Sequence, residues 1–314
     1  MLAGLNNNSP ASFPNSFQIS AENLSIMKER EPERHSLILD IKALEKTDAF
    51  GWSLLHYAAY MTLDIDNNWE RSVQFPNPRD LMEWTPLHHA CFFGNENMVK
   101  MLLKYGTPID IAGKDGITPM HCAVQSGKAE ILHILMDELK ERRKTNTRKS
   151  KRHVDRNERH PIHWAAVEGN VEMVRSMQDD ICLVDRFGWT PLHLATIYEH
   201  EELLQCITQD YADTMNISDN GLRTPLQLAV ENKSLVAVQI LIQAGAKVNT
   251  TAKDGSTPLH VAVKQKQAEI LKLLLKYGAN KEAMDREGRT PFYLSMEDGE
   301  TEIISLLKDD GAEV

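Results

Sequence analysis

Twelve histidines and four cysteines are the side chains with the widest chemical reach in this 314-residue sequence. A catalytic zinc site asks for two histidines a helical turn apart on one face, and a structural one for cysteines paired at short spacing. Neither arrangement is present. There is no H-E-x-x-H and no paired C-x-x-C, and the consecutive His88 and His89 point to different faces of any helix that holds them. His133, His153 and His200 are isolated. A phosphate-cradling glycine loop and a G-x-S-x-G nucleophile elbow are missing as well. Cys91 and Cys122 fall where a buried small hydrophobe is wanted rather than a nucleophile. Four cysteines in a chain this long make no disulfide framework and fit a reducing compartment. The sequence predicts no catalytic residue, no metal site and no cofactor.

Six further histidines carry a different message, because they recur at the fourth place of one tetrapeptide. It runs Ser53-Leu54-Leu55-His56, Thr85-Pro86-Leu87-His88, Thr118-Pro119-Met120-His121 and His160-Pro161-Ile162-His163. It continues as Thr190-Pro191-Leu192-His193, Thr224-Pro225-Leu226-Gln227, Thr257-Pro258-Leu259-His260 and Thr290-Pro291-Phe292-Tyr293. Successive starts are 32, 33, 42, 30, 34, 33 and 33 residues apart. Five residues before the start stands an Asp in six of the eight copies, with Gly113 and Ala252 as the exceptions. Two residues before it stands a Gly, replaced by Glu83, Glu158 and Leu222 in three copies.

A period near 33 built on T-P-L-H resembles the ankyrin family, over roughly residues 33–314. The resemblance implies an all-α solenoid of stacked helix-turn-helix units with hairpin fingers and no enzymatic activity. It also implies that the motif histidines bond backbone in the neighbouring hairpins, a structural role. The residue chemistry agrees. Gly255 can supply the positive φ of a tight turn, Thr257 can cap a helix, and Pro258 suits its first position. Small residues such as Ala90, Ala195 and Ala262, five places after the motif start, let paired helices lie close.

Three stretches depart from the period. Residues 1–20 are polar and Pro-punctuated and predict a disordered tail; residues 21–47 predict capping helices of a degenerate half-repeat; residues 48–314 predict about eight units. Pro76 and Pro78 forbid a regular second helix in the first full unit and predict a loop around Phe75–Pro78. The 42-residue spacing marks an insertion at 140–159 with a charge of +7, which leaves −17 on the rest of a chain whose total is −10. Its pattern predicts a second helix lengthened to about Lys144, then an exposed basic loop. The candidate basic residues are Arg142, Arg143, Lys144, Arg148, Lys149, Lys151 and Arg152. At the far end Glu297, Asp298, Glu300, Glu302, Asp309, Asp310 and Glu313 predict an acidic outer surface.

Candidate contacts come from two places in the unit. Immediately before the motif stand Trp52, Trp84 and Trp189, three of the five tryptophans. Seven and eight places after its start stand Tyr60-Met61, Phe92-Phe93 and Ile197-Tyr198, where later units have Glu231-Asn232, Lys264-Gln265 and Glu297-Asp298. Exposed aromatics grouped on one face are the usual anchors of a protein partner. The predicted partner-binding set is Trp52, Tyr60, Trp84, Phe92, Phe93, Phe187, Trp189, Ile197 and Tyr198. The alternative is a nuclear or nucleic-acid-linked role for the basic loop, set against a net charge of −10 and a lack of interleaved aromatics. No run of 18 apolar residues is available to span a membrane, and residues 1–20 carry no Lys or Arg of a secretory signal. The expectation is a chain monomeric by itself, in the cytoplasm, with the nucleus as the alternative.

Overall fold

Seven prolines, from Pro86 to Pro291, each open a helix, where a missing N–H costs nothing and the fixed φ is already helical. The residue before each, such as Thr257 (φ −93°, ψ 166°), is extended and caps the helix. The computed structural model describes residues 47–61, 77–145 and 153–308. The predicted tail, nearly all of the predicted capping segment, the stretch 62–76, and Arg148, Lys149, Lys151 and Arg152 lie outside the described residues.

The described residues form helix pairs. The first helices are α1 (Leu54–Met61), α2 (Pro86–Phe93), α4 (Pro119–Ser126), α6 (Pro161–Val167), α8 (Pro191–Ile197), α10 (Pro225–Glu231), α12 (Pro258–Lys264) and α14 (Pro291–Asp298). From α2 onward each is followed by a second helix. These are α3 (Glu96–Lys104), α5 (Ala129–Thr145), α7 (Val171–Ser176), α9 (Glu201–Asp210), α11 (Leu235–Gln243), α13 (Ala268–Lys276) and α15 (Thr301–Lys308). First helices pack on the first helices of adjacent units and second helices on second helices, so two layers share one core. The alanines five places after the motif start, Ala58 through Ala262, are at most 2 % exposed. A larger side chain there would push the layers apart. Helix α5 has 17 residues and carries the predicted extension to Thr145.

Six of the fingers are built around an Asp. In Asp80, Oδ1 accepts the N–H groups of Met82 and Trp84, both at 2.8 Å, and Asp48, Asp155, Asp185, Asp219 and Asp285 repeat the pattern in their own fingers. Fingers also bond one another: the residue after the Asp position donates to the finger before it, as Asn220 N–H does to Phe187 O at 3.0 Å and, with Gly113 in place of the Asp, Lys114 N–H to Met82 O at 2.8 Å. The ladder fixes the spacing of the units.

Two positions show what the turn demands. Gly188 has φ +81°, and a Cβ there would lie 2.7 Å from the Asn220 backbone nitrogen. Leu222 holds the same place one finger later at φ +59°, a left-handed conformation that costs an L-residue about 1–2 kcal/mol. Gly188→Ala is therefore expected to destabilise the array by about 2 kcal/mol, while Leu222→Gly is neutral or stabilises it by up to about 1 kcal/mol. Urea midpoints of the two variants against the parent check the opposite signs.

Candidate interaction surface

The motif histidines are pinned at both ring nitrogens. In the unit of α2, the Thr85 N–H donates to His88 Nδ1 at 3.1 Å, and His88 Nε2 donates to the Ile117 carbonyl at 3.1 Å, just before the next motif. His56, His121, His163, His193 and His260 make the same bridge to Trp84, Arg159, Trp189, Arg223 and Arg289. One nitrogen must accept while the other donates, so each ring is neutral. Burial holds His56, His121 and His193 down at about 4, and His88 and His163 at about 3. Gln227 substitutes without a titratable ring: its Oε1 accepts from Thr224 N–H at 3.2 Å and its Nε2 donates to Ser256 O at 2.9 Å. Among the described residues, no group of three or more His, Cys, Asp or Glu is placed to hold a metal ion. Cys91 and Cys122 are fully buried, and burial pushes both thiols well above their ordinary range.

The tryptophans require a correction. Trp52, Trp84 and Trp189 are only 6, 3 and 7 % exposed, so they are not surface anchors. The residue before the motif lies at the junction of finger and helix, and its ring turns inward. Trp84 stacks on His88 at 5.8 Å between ring centres and meets His89 at 5.4 Å; Trp52 meets His89 edge-on at 4.5 Å; Trp189 Nε1 donates to Asp219 Oδ2 at 3.2 Å. They form the floor on which the more exposed rings rest. The pair beneath that floor is polar: His89 Nε2 and Asp80 Oδ2 are 2.8 Å apart and both buried. Burial alone would raise the Asp80 carboxyl, but the hydrogen bond and charge of His89 hold it below the usual carboxylate range.

Other predicted contact residues do reach the surface. Tyr60, Phe187 and Tyr198 are exposed, and Phe92, Phe93 and Ile197 are half-buried. Tyr60 meets Phe93 edge-on at 4.8 Å, and Phe93 meets Phe92 at 5.1 Å. Finger tips that the sequence reading missed stand beside them. Leu81 is 69 % exposed, and Phe50, Met82 and Leu222 are exposed too. The signal was an apolar residue at the second, third or fourth place of a finger, where other fingers carry Lys114, Arg156 or Lys253 at the second place.

The basic stretch begins on a helix. Arg142, Arg143 and Lys144 belong to α5, within the extension that the apolar pattern predicts. Arg142 is docked: Nε lies 2.6 Å from Glu138 Oε1, and Nη1 donates to Thr107 O at 3.0 Å, at the end of the preceding unit. Along the second helices α7 and α9, Val171, Glu172, Arg175, Ser176 and Glu202 line a shallow, open groove.

The family model described as ankyrin repeats (3 copies) matches residues 65–149, 113–185, 139–219, 162–252 and 226–314, which leaves little of the array uncovered. The chain belongs to the ankyrin-repeat family. Similar proteins include Rabankyrin-5 of Mus musculus, 30 % identical over 172 residues, with 55 % of this chain and 12 % of that protein covered. The B-cell lymphoma 3 protein homolog of Mus musculus is 26 % identical over 234 residues, covering 72 % and 44 %. Among solved structures, the ankyrin repeat domain of Bcl-3, a unique member of the IkappaB protein family, is 28 % identical with a TM-score of 0.62, covering 71 % of this chain and 98 % of that domain. The chain spans less than half the length of these curated relatives. The architecture is thus an all-α ankyrin-repeat solenoid, an interaction fold rather than an enzymatic one, and ankyrin repeats generally mediate protein–protein contacts. No helix among the described residues is long and apolar enough to cross a membrane.

Proposed function

We propose that this chain is a non-enzymatic scaffold or adaptor that docks a partner protein in the concave groove formed by its fingers and first helices. One observation carries the reading: the exposed apolar side chains of that face form two clusters. Phe50, Leu81, Met82 and Tyr60, with half-buried Phe92 and Phe93, make one in the first two units; Phe187, Tyr198 and Leu222 make the other in the fifth and sixth. Units between them present Gln125, Ser126 and Glu168 at the corresponding helix positions. Scattered apolar residues are ordinary on a surface, but clustered ones mark contacts. The chain is monomeric by itself on this reading and works in the cytoplasm or the nucleus. A role for the basic segment in binding nucleic acid has less support, since Arg142 is already engaged within the fold.

The test uses exposed residues only. Tyr60→Ser, Leu81→Ser and Phe187→Ser together are expected to leave the helical spectrum and thermal midpoint unchanged, because none of the three is buried. A partner identified by crosslinking to the parent chain should lose at least tenfold in affinity, since a few central anchors carry most binding energy. Unchanged affinity would remove the groove from the proposal.

A further inference from the structure

On the fingers beside the second apolar cluster the charges answer one another. Arg156 lies 3.3 Å from Asp115, and Arg223 lies 2.7 Å from Asp219 and 3.1 Å from Glu231. Arg186 sits over the Phe187 ring, 5.6 Å from its centre. The first-helix side of the groove differs. It is lined by the seventh to ninth places after each motif start, where adjacent units meet: Asn232 Nδ2 donates to Ile197 O at 3.4 Å. Along this row the fourth and fifth units present Glu168 and Glu199, and the sixth and seventh present Lys233 and Lys264. All four are exposed. Among the described residues none of the four is held in an ion pair, whereas Lys266 in the same row lies 2.6 Å from Glu300. Glu158 on the fourth finger is exposed and adds to the acidic end, while Lys253 and Asp254 on the seventh offset each other. The row therefore changes sign just past Tyr198, within the second cluster.

That change of sign narrows what the cluster can hold. A uniformly basic segment would be repelled at Lys233 and Lys264, and a uniformly acidic one at Glu168 and Glu199. A segment with one base and one acid on opposite sides of an apolar anchor satisfies both ends. The span follows from the packing. Helices α6, α8 and α10 are successive neighbours, and at about 8–10 Å per step Glu168 and Lys233 stand about 16–20 Å apart. An extended chain rising about 3.3 Å per residue covers that in about five or six residues. We infer that the second cluster takes an extended segment of a partner protein, with one large apolar side chain set between a Lys or Arg and an Asp or Glu about five or six residues apart. The base meets Glu168 and Glu199, the acid meets Lys233 and Lys264, and the anchor rests on Tyr198 and Phe187. This rests on the groove reading and names what the groove holds.

The test selects binders to the full chain from random peptides of about 16 residues displayed on phage, long enough for the span and flanks on both sides. Selected peptides are synthesised with fluorescein and titrated by anisotropy at physiological salt. Three variants are compared with the parent: Phe187→Ser with Tyr198→Ser, Glu168→Lys with Glu199→Lys, and Lys233→Glu with Lys264→Glu. The binders are expected to carry a base and an acid on opposite sides of an aromatic or long aliphatic residue. They should lose at least tenfold on the first variant and several-fold on each of the others. A peptide whose acid is replaced by Lys should prefer the Lys233→Glu, Lys264→Glu chain to the parent by several-fold. The inference is overturned, with the groove reading intact, if binders lost on the first variant bind the two charge variants within twofold of the parent or carry one sign of charge. If the first variant costs nothing, or no binder emerges, the groove reading falls and the inference with it.

Discussion

Acidification from pH 7 to pH 5 is expected to unfold the array, at a pH where most of its carboxylates are still charged. The cause is the row of bridging histidines. In the unfolded chain each imidazole takes a proton near pH 6.5, whereas the folded sites of His56, His88, His121, His163 and His193 stay neutral down to about 3–4. Between those limits the unfolded state binds more protons than the folded one. Stability is therefore fully present above about pH 6.5 and is lost as the pH falls through the window. Each ring contributes up to about 1.4 kcal/mol per pH unit, so five rings remove roughly 10 kcal/mol by pH 5, comparable with the whole stability of a typical domain. Urea midpoints at half-unit steps between pH 7.5 and pH 5 measure the slope. A control is written into the fold, because Gln227 makes the same bridge with no proton to gain. Replacing His88, His121 and His163 by Gln should remove about three-fifths of the slope. A stability that stays flat from pH 7 to 5 would refute the assignment of neutral, doubly bonded rings.

Much of this frame was visible in the residues because it answers backbone needs that return in every unit. A proline at the first helical position, a capping hydroxyl before it and an imidazole three residues on are demands of the local chain, so they repeat in register. The extension of α5 could be read from Leu135 and Leu139 continuing the apolar stripe. What could not be read was the direction of the residue before the motif. Trp52, Ile117, Arg159 and Trp189 all occupy that place, and nothing local says whether a large ring there turns toward solvent or lies down on the neighbouring finger. The outcome depends on contacts made about 30 residues away, such as Trp189 on Asp219. The docking of Arg142 was hidden for the same reason, since its backbone acceptor Thr107 O belongs to the preceding unit.

One exception in the pattern now has a cause, and it yields the second large prediction. Five residues before Thr118 the recurring Asp is replaced by Gly113. A Cβ at Gly113 would lie 2.6 Å from Trp84 Cδ1, so the indole of one unit occupies the space that an Asp side chain would need in the next finger. Truncating that ring, in Trp84→Ala, should cost about 3–5 kcal/mol, the usual penalty for emptying a buried aromatic site. Gly113→Asp alone should also destabilise, by about 2 kcal/mol or more, from overpacking rather than backbone strain, since Gly113 has an ordinary φ of −82°. Combined, the two changes should cost less than their sum by at least about 1 kcal/mol. The space left by the indole admits a carboxylate able to accept the finger N–H groups of Asp115 and Ile117, as Asp80 does for Met82 and Trp84. A double-mutant cycle read by urea denaturation gives the coupling directly. Strict additivity would mean that Trp84 and Gly113 do not share that space, and that the missing Asp has some other origin.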